Sequence, residues 1–233
     1  MRKIAVFVEG QAELIFVREF LLKWFNYNID LECRNLFTDG QSHQAEFDFP
    51  ISTAPIHVQV INVGGDGNVL SRMLGREQLL HNAGYETIIG LRDMYSEEYK
   101  KKVKNQTVDP AISELFKNGA TVTIYQRAKQ PDSMKLCFAI MEIEAWWLGI
   151  PTVWHSFDST IQNQFADAFT RPESVFHPAT LINKLLQSRH QSYKKHKGEV
   201  ESIVSRISLQ DYIDLRDSQR CPSFCEFVDH INT

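Results

Sequence analysis

The sequence predicts an α/β protein built on a largely parallel, four- to five-stranded sheet flanked by helices, with a helical C-terminal appendage. Short apolar segments rich in β-branched residues alternate with segments of helical periodicity between residues 3 and 141. The strand-like segments are nearly continuous apolar runs, as in parallel sheets covered on both faces. From Glu142 onward, apolar residues recur mostly at helical spacing and prolines punctuate the pattern.

The first strand and the first helix are the clearest elements. Residues 3–8 are mostly β-branched or aromatic and predict a buried central strand. After the turn at Glu9 and Gly10, apolar residues between Leu14 and Phe25 recur at helical spacing and predict a helix of about four turns. Residues 31–54 are polar with few periodic signals, so we expect a long excursion with room for one short strand.

The later elements complete a β-α-β order, which implies helical crossovers between parallel strands. A glycine-rich turn at 64–68 separates the second strand from the helix that follows it. The predicted elements are a strand over 57–63, a helix over 68–83, a strand over 86–92, a helix over 109–117, a strand over 120–126 and an apolar segment over 135–141.

We expect two parts along the chain. Residues 1–150 form the α/β domain and residues 151–233 a helical C-terminal subdomain, with a soft boundary because no repeat or low-complexity linker separates them. The apolar runs fall short of the roughly 20 residues that cross a bilayer. Four cysteines without a recognisable secretory signal are expected to be reduced, so a cytoplasmic protein with no membrane contact is predicted.

The C-terminal cysteines have two interpretations. Cys221, Cys225 and His230 supply three candidate zinc ligands, but the tight Cys-x-x-Cys spacing is absent. The favoured interpretation is that both cysteines face the core on a terminal helix.

A net charge of −4 excludes a surface coated in positive charge, so any nucleic-acid contact must be local. Two lysine-rich segments qualify, at residues 100–104 and 189–197. The first is interpreted as a solvated face. The second combines cations with an aromatic side chain, and its predicted nucleic-acid-binding residues are Arg189, Tyr193, Lys194, Lys195 and His196.

Acidic residues follow several of the predicted strands. Glu9 follows the first strand, Asp93 the third and Glu142 the fifth. Open parallel sheets gather functional groups beyond the carboxyl ends of their strands, so we expect these acids to converge. Because clustered carboxylates repel one another, such a cluster usually indicates a divalent metal, a raised pKa, or both. Mg²⁺ is the predicted cofactor, with Mn²⁺ as the alternative, and the predicted ligands are Glu9, Glu13, Asp93, Glu142 and Glu144.

Three of these acids also have a structural interpretation. Glu13 would favour the amino end of its helix dipole. Asp93 would cap a helix that starts near Ser96. Glu144 would lie on a solvated helix face. Glu9 directly abuts a buried strand and precedes a glycine, where an acid has little structural purpose, so its role is predicted to be functional.

The glycine-rich turn resembles a phosphate cradle at a helix amino end. It lacks the Lys-Ser/Thr ending of a P-loop and the spacing of a dinucleotide fingerprint, so a tight strand-to-helix turn is an equal alternative. A small-molecule phosphotransferase using this turn is a distant third function. A serine hydrolase is not supported, because the sequence has no Gly-x-Ser-x-Gly elbow.

Five motifs, in order along the chain, carry a family resemblance. They are Phe7-Val8-Glu9-Gly10-Gln11-Ala12-Glu13, Gly90-Leu91-Arg92-Asp93-Met94-Tyr95, Met141-Glu142-Ile143-Glu144-Ala145-Trp146, Tyr193-Lys194-Lys195-His196-Lys197-Gly198 and Arg220-Cys221-Pro222-Ser223-Phe224. Together they resemble a bacterial family of Toprim-like proteins designated a domain of unknown function, family 4276. The resemblance spans most of the chain.

The Toprim fold is the catalytic module of topoisomerases, primases and overcoming-lysogenization-defect nucleases, which cut or join phosphodiesters using magnesium. The resemblance implies that Glu9 matches the acid after the first strand and that Asp93 matches the first aspartate of the Asp-x-Asp metal motif. Tyr95 replaces the second aspartate, a departure that weakens metal binding as usually drawn. Glu142 or Glu144 is the candidate to supply the missing carboxylate.

These observations predict a Toprim-like, metal-dependent nuclease or related phosphodiester-transfer enzyme acting on nucleic acid. Its predicted catalytic residues are Glu9, Asp93, Glu142 and Lys195. The resemblance also implies a role in bacterial defence beside an ATPase partner. The alternative is a catalytically inert Toprim-like binding module, in which Tyr95 marks lost metal chemistry and the acids serve a protein interface.

Overall fold

The computed structural model describes residues 1–36, 42–44, 47–157, 161–187 and 190–233. Its strands are β1 (Arg2–Val8), β2 (Asp30–Leu36), β3 (Ser42–Gln44), β4 (Ile56–Asn62), β5 (Thr87–Asp93) and β6 (Met134–Ala139). Its helices are α1 (Gln11–Trp24), α2 (Val69–Asn82), α3 (Glu97–Lys102), α4 (Pro110–Arg127), α5 (Glu144–Leu148), α6 (Pro151–Phe157), α7 (Ile161–Thr170), α8 (Pro178–Gln187), α9 (Lys197–Val204), α10 (Leu209–Asp217) and α11 (Pro222–Asn232). Single-turn 3₁₀ helices cover Asp66–Asn68, Pro131–Ser133 and Pro172–Ser174.

The strands form one sheet in the order β3-β2-β4-β1-β5-β6. Every neighbouring pair is parallel except β2 and β3, which pair antiparallel. The predicted class, a mostly parallel α/β sheet flanked by helices, is confirmed. The sheet has six strands in the described part of the chain, more than the four to five expected.

The additional strands come from the segment 31–54, where the expectation of one short strand was wrong. This segment contains most of β2 and all of β3. On one face of β2, Leu31 and Cys33 are buried. The polar side chains of its other face find partners on β4, because Gln59 donates to Glu32 at 2.6 Å and His57 contacts Asp30 at 2.7 Å. Such cross-strand pairing is invisible in a single segment, which is why its polarity misled the prediction.

The predicted helix over 109–117 and strand over 120–126 are a single helix, α4, so that strand prediction was wrong. The Asp109 side chain caps the helix by accepting from two backbone amides. Thr121 and Thr123 donate to backbone carbonyl groups four residues earlier, at 3.1 and 2.8 Å. Such bonds satisfy β-branched polar residues inside a helix, so their strand propensity does not decide the structure.

The sheet is covered on both faces by apolar clusters. Alternate residues of β1 face opposite sides, and all residues from Ile4 to Val8 are fully buried. One side packs against α1 and the other against α2. On the α2 side, a Cβ atom on Gly90 would lie 2.3 Å from the Met73 sulfur, so the close approach of α2 to β5 requires glycine there.

Helices from the C-terminal half pack against the α1 side of the sheet. Contacts join α9 and α10 to α1, and α11 to β6. Within this layer, the Phe20 ring meets Tyr212 and Phe224 edge-on at centroid distances of 5.1 and 5.6 Å. The apolar cluster here includes residues from both sides of residue 150. Whether residues 1–150 fold independently of residues 151–233 stays a prediction.

Among the described residues, no helix has both the length and the apolar character needed to traverse a bilayer. The longest of these, α4, has 18 residues and carries the charged side chains Glu114, Lys117 and Arg127.

Candidate active site at the carboxyl edge of the sheet

Three neighbouring strands deliver the predicted acids to one edge. Because β1, β5 and β6 run parallel and side by side, their carboxyl ends lie together. Glu9 follows β1 directly, and Asp93 is the last residue of β5. Glu142 lies in the turn after β6, and Glu144 is the first residue of α5. The strand topology therefore brings these acids to one edge of the sheet.

The tightest group consists of Asp93, Glu142 and Glu144. One carboxylate oxygen from each lies within 4.8 Å of the others, the only set of three or more potential metal-ligating residues found in the part of the chain described. Glu144 is fully buried and Asp93 is 6% exposed. The interpretation of Glu144 as part of a solvated face was therefore wrong.

Backbone contacts hold Asp93 and Glu142 in place. An oxygen of Asp93 accepts from the Ile143 amide at 2.9 Å, and Glu142 accepts from the Ala179 amide of α8 at 3.1 Å. The turn after β6, which carries Glu142, contains Met141 at a φ of 64°, a conformation uncommon outside glycine. Ser96, not Asp93, caps α3 through its contact with the Tyr99 amide, so the cap interpretation of Asp93 was wrong.

The ammonium group of Lys195 lies among the three carboxylates. Its nitrogen is 3.1 Å from Glu142, 3.1 Å from Glu144 and 3.7 Å from Asp93. Lys195 has a φ of 60°, so the backbone adopts a sparsely populated conformation at the residue that sends this cation inward. About a third of the Lys195 side chain is exposed.

The loop that carries Lys195 is held on both sides. Before it, the Tyr193 amide donates to the Asn183 side chain at 2.9 Å. After it, Glu199 accepts from the amides of Lys194 and His196 at 2.6 and 3.2 Å. Glu199 belongs to a capping box that starts α9, and our sequence analysis missed it because its partner His196 is an unusual helix cap.

Tyr193 is buried, with only 4% of the residue exposed. Its hydroxyl donates to Glu144 at 2.6 Å and its ring meets Trp147 edge-on at 6.0 Å. The structure therefore does not present Tyr193 to solvent as a surface for a nucleic-acid base. Burial and the neighbouring Glu144 carboxylate raise the pKa of Tyr193, which keeps this hydroxyl a donor.

The electrostatics of the cluster follow from burial. Burial is the main cause that raises the pKa of Asp93, with Glu13 as the next contributor. Burial likewise raises the pKa of Glu144 to about 6, although Lys195 opposes this shift. Burial by itself would lower the pKa of Lys195, but its carboxylate neighbours outweigh burial and raise it. The cluster therefore contains a persistent cation beside two acids, Asp93 and Glu144, that hold their protons more tightly than usual.

Glu13 lies in the first turn of α1, and the residue is 5% exposed. Burial raises its pKa, while Lys195 lowers it and Glu142 raises it, so Glu13 senses the cluster. A Cβ atom on Gly10 would lie 3.1 Å from a Glu13 carboxylate oxygen, so a side chain at that turn would require the Glu13 carboxylate to shift slightly. Its position in the first turn of α1 also fits the helix-dipole interpretation.

An open cleft of about 360 Å³ lies beside the cluster. Its lining includes Glu9, Glu13, Asp93 and Lys195, together with Gln11 and Asn62, which the sequence analysis did not single out. Glu9 accepts from the Asp93 amide at 3.1 Å through a side-chain oxygen. The cleft therefore gives solvent a route to the acids.

The glycine-rich turn lines the same cleft. Gly64 and Gly65 both have positive φ angles, of 70° and 151°. The Gly65 amide donates to the Glu9 carbonyl oxygen at 2.8 Å, so this amide is already used to hold the turn against β1. This contact favours the tight-turn interpretation over a phosphate cradle.

Of the remaining residues singled out from the sequence, those that the structure describes lie apart from the cluster. Lys194 and His196 are exposed, whereas Arg189 lies outside the described residues. Tyr95, at the position of the second aspartate, contacts Phe176 and His177 instead of the acids. Cys221 and Cys225 are buried free thiols, as the core interpretation predicts.

The fold and site define an α/β protein with a lysine-bridged acidic cluster at the carboxyl edge of a mostly parallel sheet. The chain belongs to the family described as a domain of unknown function (DUF4276), whose model matches residues 8–232. No curated protein and no solved structure shows significant similarity to the chain. The function of the chain is therefore inferred from the chemistry of the site.

Proposed function

We propose that this protein is a Toprim-like, metal-dependent nuclease or a related phosphodiester-transfer enzyme. The observation that carries the proposal is the convergence of Asp93, Glu142 and Glu144 within 4.8 Å beside an open cleft. Three carboxylates brought together at two strand ends repel one another and destabilise the folded state unless cations offset their negative charge.

The donor set fits a divalent cation. Hard carboxylate oxygens are the ligands that Mg²⁺ and Mn²⁺ take in proteins. Glu144 Oε2 accepts no hydrogen bond and faces the Lys195 ammonium at 3.1 Å, so a cation already occupies this position. A bound Mg²⁺ or Mn²⁺ would supply Lewis-acid stabilisation of the charge that develops on the phosphoryl oxygens.

The other residues have separate roles in this proposal. Glu9 lines the cleft and takes a proton from the attacking water, because its carboxylate lies beside the metal ligands without belonging to their tightest group. Lys195 contributes a positive charge that holds the phosphate of the substrate. Lys194 and His196, exposed on the same loop, extend this positive surface.

The inert binding module is the second candidate. It is favoured by the Lys195 ammonium, which lies 3.1 to 3.7 Å from all three carboxylates and offsets part of their negative charge without a metal. The replacement of the second aspartate by Tyr95 points the same way. In this alternative, the lysine and the acids form a structural network at a protein interface.

The two candidates are separated by cleavage and metal binding measured together. Single- and double-stranded DNA and RNA are incubated with Mg²⁺ or Mn²⁺ and the wild type, Glu9→Gln, Asp93→Asn or the surface control Glu114→Gln. We expect metal-dependent cleavage that falls by about 10² to 10⁴-fold in Glu9→Gln and remains unchanged in Glu114→Gln. Absence of cleavage, with no heat of Mg²⁺ binding in calorimetry, would favour the binding module.

The proposal extends to bacterial defence beside an ATPase partner, supported by the family resemblance of the five motifs. Cleavage by the isolated chain tests activity without that partner. Cleavage that appears only after co-expression with a neighbouring ATPase would support the partner.

A further inference from the structure

Three rings form an aromatic cluster beside the acids. Tyr95 meets Phe176 and His177 edge-on at centroid distances of 5.8 and 5.2 Å, and Phe176 meets His177 at 4.8 Å. All three residues are partly exposed. Partly exposed aromatic side chains offer the ring surfaces on which unpaired nucleic-acid bases stack.

This aromatic cluster is tied by backbone contacts to the carboxylates. Tyr95 follows Asp93 by two residues, and its amide donates to the Met141 carbonyl oxygen at 2.8 Å. His177 precedes Ala179 by two residues, and the Ala179 amide donates to Glu142 at 3.1 Å. Tyr95 and His177 therefore lie within two residues of groups that belong to or contact the acidic cluster. A nucleic-acid strand bound on the rings would pass close to these acids.

One lysine of the first basic segment lies directly beside the rings. The Lys100 ammonium is 4.6 Å from the centroid of Tyr95, within range of a cation–π contact. Lys101, Lys102 and Lys104 follow on the same segment, and four lysines against Glu97 and Glu98 leave a net charge of +2 over residues 97–104. Glu97 and Glu98 pair with Lys100 and Lys102 at the surface, where ion pairs are weak and exchange readily for a phosphate.

We propose that this surface, formed by Tyr95, Phe176, His177 and the lysines of residues 100–104, binds single-stranded nucleic acid, with bases on the rings and phosphates on the lysines. The inference deepens the proposed function, on which it rests, by assigning the path of the substrate. It also assigns nucleic-acid binding to the first lysine-rich segment, which the sequence analysis interpreted as a solvated face, in place of the second. The expected aromatic residue of the second segment, Tyr193, is buried against Glu144, whereas Tyr95 is partly exposed.

The test is equilibrium binding of a fluorescein-labelled oligothymidylate of about 12 nucleotides, within the usual site size, followed by anisotropy in EDTA. Because EDTA prevents metal-dependent cleavage, the measurement does not depend on catalysis. We expect Tyr95→Ala to weaken binding about tenfold, and Tyr95→Phe to stay within about twofold of wild type, since a stacked base contributes 1–3 kcal/mol. Tyr125→Ala, which removes an exposed tyrosine of α4, is the matched control.

Lys101→Gln tests the phosphate contacts independently of ring packing. Lys101 is exposed on α3, so its replacement leaves the core intact. We expect the slope of log affinity against log salt concentration to fall by about 0.7, the contribution of one single-strand phosphate contact. An unchanged slope in Lys101→Gln together with unchanged affinity in Tyr95→Ala would overturn the inference.

Two further outcomes separate the inference from the proposed function. Absence of binding by the wild type, or tighter binding to duplex than to single strands, overturns the inference. Tyr95-dependent binding without any cleavage in Mg²⁺ or Mn²⁺, either by the isolated chain or after co-expression with the ATPase, contradicts the nuclease and supports the surface as that of a binding module.

Discussion

The two lysine-rich segments look alike in the sequence and behave differently in the fold. The first, residues 100–104, begins in the last turn of α3, and two of its lysines pair with glutamates of the same helix. In the second, residues 189–197, Tyr193 is buried and the Lys195 ammonium lies among three carboxylates from other elements. A run of charges therefore does not indicate its own role, because the role depends on which opposite charges the fold brings near.

The largest expected effect concerns the inward-pointing lysine. Lys195→Met leaves the three carboxylates without their ammonium partner, and we expect a loss of about 2 to 3 kcal/mol in unfolding free energy at neutral pH. The value lies below that of a fully buried pair because a third of the side chain is exposed. Urea denaturation measures the loss, and Lys101→Met on the first segment should show no measurable change. Equal losses in both variants would break the comparison.

The second effect is a pH dependence carried by Glu144. The pKa of Glu144 is raised from 4.5 to about 6, so the folded protein binds this proton more tightly than the unfolded chain. Stability from this residue is therefore full below pH 4.5 and is lost as the pH rises through 6, a change of about 2 kcal/mol. We expect Glu144→Gln to flatten the dependence of unfolding free energy on pH in this window. Identical slopes for the two proteins would contradict the buried environment of Glu144.

The third effect compares the tyrosines near the two segments. Tyr193→Phe removes the hydroxyl that donates to the buried Glu144 carboxylate, and we expect a loss of about 1 to 2 kcal/mol. Tyr95→Phe keeps the ring contacts with Phe176 and His177 and should leave stability nearly unchanged. Thermal and urea denaturation of both variants check this difference. A loss confined to Tyr95→Phe would reverse the assignment of which tyrosine is structural.

The smallest effect concerns the loop that aims Lys195. Glu199→Gln weakens two backbone contacts, to Lys194 and His196, and we expect a loss of about 1 kcal/mol, typical of a helix cap. Glu97→Gln removes the surface partner of Lys100 and should be neutral. Amide hydrogen exchange over residues 193–199 provides the second measurement, because faster exchange there reports loosening of the loop. Unchanged exchange in Glu199→Gln would show that Asn183 holds the loop by itself.

Some features of the fold could be predicted because they are local. The apolar runs of β1, β4, β5 and β6 identified these strands, and helical spacing identified α1 and α2. The polar strand β2 was not predicted, because its polar side chains find their hydrogen-bond partners on β4. The strand predicted at 120–126 failed because a cap at Asp109 and burial of Ala120 and Ile124 outweighed β-branched composition.

By itself, the sequence determined the parallel α/β class and the edge at which Glu9, Asp93 and Glu142 meet, because side chains at the carboxyl ends of adjacent parallel strands converge wherever the strands pair. The tertiary structure decided which side chains touch. It placed Lys195 among the acids, buried Tyr193 and set Tyr95 against Phe176 and His177. These contacts join residues roughly 50 to 100 positions apart, and only packing of the helical half against the sheet brings them together.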